Sequence, residues 1–312
     1  FERDPDALPI LLRVFSVGGR LADIILADVE SFDLLRVVQG KSVSRDALLA
    51  DLLREIEATG GERAAGHALR RVHDREVLRI GYGLLSCAAN ARRAGEDLAQ
   101  LAEVLCEAAL EVAQRRTTRG HDAAADRKWL LLALGDCGAR LMHFDAPLKL
   151  LFLDDAFPNG AAKDASAARE DEADRIAKTV VSLLSSGDAP PYSVDLAFRI
   201  EPESPRLVAP LRRAVQRLDK FGRTWQRLEM LSARVVAGSP ELEASLLSQL
   251  TPWLYRRRLT DADIDGLLFQ YRKWRRLASE SGLDALLRGV RILQLMLGGG
   301  TPMFAAHIYW TP

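Results

Sequence analysis

The sequence predicts a predominantly helical α+β chain with one small sheet near its middle. Two observations carry that class. Apolar residues recur at steps of three and four over most of the 312 residues, which places them on one face of an α-helix. Strand signals, by contrast, cluster between Trp129 and Gly238, as short apolar or alternating runs stopped by Gly, Pro or Asp. No internal repeat is visible, so a repeat array is not expected.

The first strong helix signal is Leu98, Leu101, Leu105, Ala108 and Val112. Trp129 to Leu134 is an apolar run ending at Gly135, and Leu148 to Leu153 follows a Pro and stops at Asp154-Asp155. Both read as strands. Gly160 to Ala173 is rich in Ala and Asp and reads as a loop running into a helix carried by Ile176, Val180, Leu183 and Leu184. The acidic run Glu170-Asp171-Glu172 suits the start of that helix, because carboxylates favour the positive end of the helix dipole. Ser193 to Ile200 alternates with period two, and Arg234 to Ala237 precedes a Gly, giving two more strands. Ser239-Pro240 reads as N-cap and first helical position of a helix marked by Leu242, Leu246, Leu247 and Leu250. A last helix is expected over Leu283 to Leu297, closed by Gly298-Gly299-Gly300. The expected organisation is a helical part over 1–120, an α/β core over 121–240 and a helical part over 241–312.

Composition narrows the classes of partner. Lys plus Arg and Asp plus Glu number 43 each, a formal net charge of zero. That balance gives no whole-molecule pull toward nucleic acid or an anionic membrane, and neither is expected as a partner. Cys87, Cys106 and Cys137 are widely spaced, which reads as buried reduced thiols in a cytoplasmic protein. No run approaches the length of a membrane-spanning helix. The start at Phe1, with no Met and no signal peptide, reads as a trimmed chain.

Two basic tracts, Arg256-Arg257-Arg258 and Arg272-Lys273-Trp274-Arg275-Arg276, allow either an anion-binding face with interleaved aromatics or solvated helix faces. His143 has no second His or Cys at ligand spacing and reads as a loop histidine.

Five segments, in order, resemble the motifs of the glutamine synthetase adenylyltransferase family. Leu130 to Ala156 reads LLLALGDCGARLMHFDAPLKLLFLDDA, similar to a strand, G-K-L-G-G-R-E-L, a short bend, S-D-x-D-L and a second strand ending in Asp. Tyr192 to Arg199 resembles Y-x-V-D-L-R-L-R-P. Gly222 to Arg227 with Ala233 to Gly238 resembles G-x-x-W-E-R followed by A-R-x-V-A-G. Arg75 to Ile80 resembles R-E-M-L-R-I, and Leu293 to Gly299 resembles L-Q-L-x-H-G-G. Full-length family members hold two such halves, and this chain covers one. The resemblance implies a polymerase-β-like nucleotidyltransferase core flanked by helical bundles. One half of such a protein attaches AMP from ATP to a tyrosine of glutamine synthetase, and the other removes it by phosphorolysis. Both halves use divalent metal held by three carboxylates.

Nucleotidyl transfer places charge on an attacking and a leaving oxygen, and two Mg²⁺ ions roughly 4 Å apart offset both. Mg²⁺ demands hard oxygen ligands. D-x-D supplies two, because residues i and i+2 of a strand face the same way. In this sequence those positions are Pro147 and Lys149, and only the third carboxylate, Asp195, remains. Asp136 stands where the motif has Lys, Ala139 where it has its second Gly, and Gln226 where it has Glu. A backbone phosphate nest relies on Gly reaching positive φ, so Ala139 weakens it. Asp145, two residues before Pro147, is the alternative acid that a shifted register would recruit.

By resemblance, Gly135, Gly138, Arg140, Arg199, Arg227 and Arg234 occupy nucleotide-binding positions, with no metal site. Lys149 is expected to approach Asp195 and replace the missing cation. The expectation is a catalytically degenerate, regulatory or protein-binding homologue with no cofactor, whose partner is glutamine synthetase or a nitrogen-signalling protein. The alternative is an active nucleotidyltransferase using ATP and Mg²⁺. A third possibility is a structural half of a longer chain whose other half is active.

Overall fold

A computed structural model describes residues 7–17, 19–28, 43–59, 61–85, 89–118, 127–155, 163–187, 190–255 and 260–278. The helix expected over Leu283 to Leu297, the motif at Leu293 to Gly299, Cys87 and the tract Arg256 to Arg258 lie outside the described residues.

The chain divides into two compact units. The first gathers residues 1–125, 139–148 and 175–195, and the second 126–138, 149–174 and 196–312.

The first unit is built from α1 (Ala7–Val17), α2 (Gly19–Ala27), α3 (Arg45–Thr59), α4 (Glu62–Leu85) and α5 (Ala91–Thr118). The stripe read from Leu98 to Val112 lies inside α5, and Leu98, Leu101, Leu105 and Ala108 are buried. Leu48 and Leu52 of α3 and Leu69 and Val72 of α4 are buried as well, and the three helices pack against one another. Full burial of each large side chain contributes roughly 1.5–3 kcal/mol. Charge is buried here too. Arg79 donates to Glu76 at 2.7 Å and lies 3.5 Å from Asp97, which also pairs with Arg93 at 3.1 Å. The R-E-x-L-R-I motif therefore ties α4 to the start of α5.

The second unit carries β1 (Trp129–Leu134), the short turn helix α6 (Gly135–Gly138) and β2 (Leu148–Asp154). α7 (Lys163–Ser185) runs from the second unit into the first, which also holds the two-residue β3 (Val194–Asp195), and the second unit continues with β4 (Val208–Pro210), α8 (Leu211–Phe221), α9 (Thr224–Met230), β5 (Arg234–Gly238), α10 (Pro240–Leu254) and α11 (Asp261–Ala278). The small mixed sheet runs β3-β2-β1-β5, with β4 parallel to the end of β2. β1 is antiparallel to both neighbours and pairs Leu134 with Lys149 and Ala133 with Arg234. Every residue of β1 is buried, which is why its sequence is a continuous apolar run rather than an alternating one. Leu130, Leu132, Leu151, Leu153, Leu218, Leu246 and Trp253 belong to the core beneath it.

The fold class read from the sequence is the observed one: predominantly helical, with one small sheet in the expected stretch. Two local expectations change. The strand read over Ser193 to Ile200 shrinks to Val194–Asp195. Beyond it, the Arg199 guanidinium donates to the carbonyls of Ser204 (3.0 Å) and Arg206, closing the backbone into a loop instead of a ladder. The Ala/Asp-rich loop is helical from Lys163 onward, in keeping with the high helix propensity of its alanines. The cap read at Ser239 is present: its hydroxyl accepts from the Leu242 N–H at 3.4 Å.

Candidate functional site

Within the second unit, some of the motif-bearing residues meet at the glycine turn that follows β1. Gly135 takes φ +61°, a left-handed conformation that Gly reaches without a Cβ penalty. Its N–H donates to Ser232 Oγ at 3.1 Å, 97 residues away in sequence. Gly138 answers a different demand. A Cβ there would lie 1.9 Å from the Ser232 carbonyl oxygen and 2.5 Å from that of Ala133, so no larger residue fits. Among the described residues, Arg140 (φ +56°) is the one non-glycine in the left-handed region. The unusual backbone thus falls on Arg140, and Ala139 bears none of it.

Lys149 lies beside this turn. It is the one position of β2 that is not fully buried. Its stem crosses the open face of Gly135, where a Cβ would meet Lys149 Cδ at 3.2 Å. Its ammonium ends 3.7 Å from Glu229 Oε1, both side chains being about three-quarters buried (27% and 24% exposed). The other oxygen of Glu229 is buried and has no hydrogen-bond partner among the described residues. Glu229 is thus a carboxylate that meets Lys149 within the second unit. Asp195, on half-buried β3, belongs to the first unit.

The arginines are engaged with protein groups. Arg234 caps the turn helix, donating to the Gly138 and Cys137 carbonyls at 3.1 and 2.8 Å. Arg227 is 3% exposed, donates to Asp263 at 2.9 Å and lies over the Trp253 ring. Burial alone would raise the Asp263 carboxyl. The Thr260 N–H and hydroxyl together with Arg227 outweigh it and hold the group at about 2. Arg140 lies 3.6 Å from Glu103 within the first unit, and Arg199 clamps the loop described above. Of the predicted residues, the fold brings Gly135, Gly138, Lys149 and Arg234 together, while Arg199 and Arg227 are held in their own local networks.

The residues at the positions where the resemblance would place metal ligands do not fit a divalent cation: Pro147 offers no side-chain oxygen, and Lys149 carries an ammonium. Nearby acids have other tasks: Asp154 lies 3.7 Å from Arg127, and Asp155 accepts the Lys128 N–H at 3.1 Å. Among the described residues, no three His, Cys, Asp or Glu side chains converge as a metal site would require.

Sequence reasoning missed Ser232 and Glu229. Ser232 lies two residues before Arg234, and Glu229 two residues after Arg227. Nothing local distinguishes either from a solvent-facing residue, because their partners lie far away along the chain.

A model of the family described as glutamate-ammonia ligase adenylyltransferase matches residues 11–249. The chain belongs to that family. Bifunctional glutamine synthetase adenylyltransferase/adenylyl-removing enzymes are similar to this adenylyltransferase-family chain at low identity. The Pseudomonas aeruginosa protein is 27% identical over 231 residues, 70% of this chain and 23% of that protein. The Nitrosococcus oceani protein is 29% identical over 210 residues, 64% of this chain and 21% of that protein. The Hahella chejuensis protein is 24% identical over 316 aligned residues, 93% of this chain and 32% of that protein. The chain therefore spans between a fifth and a third of the length of these relatives. No described helix is long and apolar enough to cross a membrane.

Proposed function

We propose that this member of the adenylyltransferase family has lost nucleotidyl transfer and acts as a cytoplasmic regulatory or protein-binding unit in nitrogen metabolism. Glutamine synthetase, on which the relatives act by name, or a protein that signals nitrogen status is its partner. The observation that carries this reading is Lys149. At the second carboxylate position it lays its stem across Gly135 and its charge against Glu229. A fixed ammonium there supplies one positive charge, repels a divalent cation and cannot ligate one. The Gly135 N–H, which a phosphate nest would offer outward, is taken by Ser232. Loss of a metal site removes several tenfold factors of rate, each worth about 1.4 kcal/mol.

The test pairs calorimetry of Mg²⁺-ATP with AMP-transfer and phosphorolysis assays on glutamine synthetase. No binding heat and no transfer are expected, while glutamine synthetase or its regulator is retained on the immobilised chain. Transfer above background that disappears in Asp195→Asn would overturn the reading. That outcome would favour an active enzyme with an unusual site, for which the unbonded buried oxygen of Glu229 is the supporting observation.

A further inference from the structure

The cleft between α9 and α11 lies within the second unit and takes no part in the site above. The two helices close at Gly266, where a Cβ would stand 2.5 Å from Thr224 Oγ1. That contact itself lines a groove of about 580 Å³, whose lining also includes Arg223, Trp225, Asp265, Leu268, Phe269 and Arg272. Its apolar residues face outward: Phe269 is 63% exposed, Leu268 37% and Trp225 36%. Trp225 is already fixed, its ring edge-on to Phe198 with centroids 5.7 Å apart. Neither Arg223 nor Arg272 has an ion-pair partner among the described residues.

We propose that this groove docks an acidic segment of a partner protein through an aromatic or aliphatic anchor. Isolated exposed apolar residues are ordinary, but a contiguous set rimmed by charge marks an interaction surface. Trp and Arg are the residue types that dominate binding energy at such surfaces, and Trp225 is held in place before any partner arrives. The charge is directional. Arg223 and Arg272 line the groove with a single carboxylate, Asp265, on a chain whose net charge is zero, so the complementary surface is acidic. Two walls made of helices fit an inserted peptide. Asp265 stands against a run of phosphates, yet can accept a peptide N–H, which favours a protein over a nucleic acid. This assignment does not depend on whether the chain transfers nucleotide.

The test is selection of a displayed library of random twelve-residue peptides on the full chain, with removal of peptides that also bind the Arg223→Glu/Arg272→Glu/Phe269→Ser variant. Enriched peptides should place Asp or Glu around a Trp, Phe or Leu. By fluorescence anisotropy, their affinity should fall about tenfold or more in Phe269→Ser and in Arg272→Glu, with circular dichroism unchanged. The substituted side chains are exposed, so folding is expected to survive. An empty selection, lysine-rich peptides, or affinities that ignore both substitutions would overturn the proposal. So would enrichment of peptides resembling the leucine pattern of residues 283–297, which would assign the groove to this chain or a second copy. Binding of oligo(dT) lost in the same variants would assign it to nucleic acid instead.

Discussion

Lys149 and Glu229 form a largely buried ion pair, 3.7 Å apart, beside the glycine turn where the family's motif would hold a metal. The pair accounts for a substitution that is otherwise costly: an ammonium in a partly closed site needs an anion within reach.

A double-mutant cycle should detect this pair. Lys149→Met and Glu229→Gln, alone and combined, are expected to show a coupling of about 0.5–1 kcal/mol in urea denaturation, the upper part of the range for exposed pairs. Strict additivity of the two substitutions would mean that the ions do not interact.

Lys149→Asp combined with Pro147→Asp should recreate a D-x-D strand start. Mn²⁺ calorimetry is expected to pass from no measurable heat in the parent to a saturable site in the variant. A flat titration would count against reading the turn as a former metal cage. Adding Glu229→Gln, which removes the anion that pairs with Lys149 in the parent, separates a poor carboxylate set from competition by Glu229.

Arg227→Met should leave Asp263 buried without its cation and lower stability by about 3–5 kcal/mol. The pH dependence follows from the depressed Asp263 carboxyl, at about 2 against an ordinary 3.8. A lowered folded-state value adds stability that is fully present above the unfolded value and is lost as pH falls through the folded one. The contribution, about 2 kcal/mol, should therefore fade between about pH 4 and pH 2. Urea melts of the parent and Asp263→Asn should show a stability gap that narrows over that interval. A gap that stays constant would refute the assignment.

Gly138→Ala should be far worse than Gly187→Ala. The first drives a Cβ to 1.9 Å from a carbonyl oxygen, while the second, at φ +103°, meets nothing within 4 Å. Losses of roughly 3 kcal/mol or more and about 1 kcal/mol are expected, measured by thermal or urea denaturation. Equal losses would show that the turn beside Ser232 can relax.

The sequence by itself determined the fold class, the strand β1, the Ser239 cap and the family. Each rests on spacing or on a run of neighbouring residues, and backbone geometry translates those directly into faces and ends. The residue types at Pro147 and Lys149 were equally legible, since neither side chain offers a carboxylate oxygen. Tertiary structure alone decided where the charges went. Lys149 meets Glu229, Gly135 gives its N–H to Ser232, Arg227 is buried on Asp263 and Arg234 caps a turn helix. It also cut the strand after Asp195 short, because Arg199 folds back onto two carbonyls of its own loop. The physical reason is common to all of these. A charged or polar group takes whichever complementary group packing brings within about 3–4 Å, and packing joins residues that no local pattern relates.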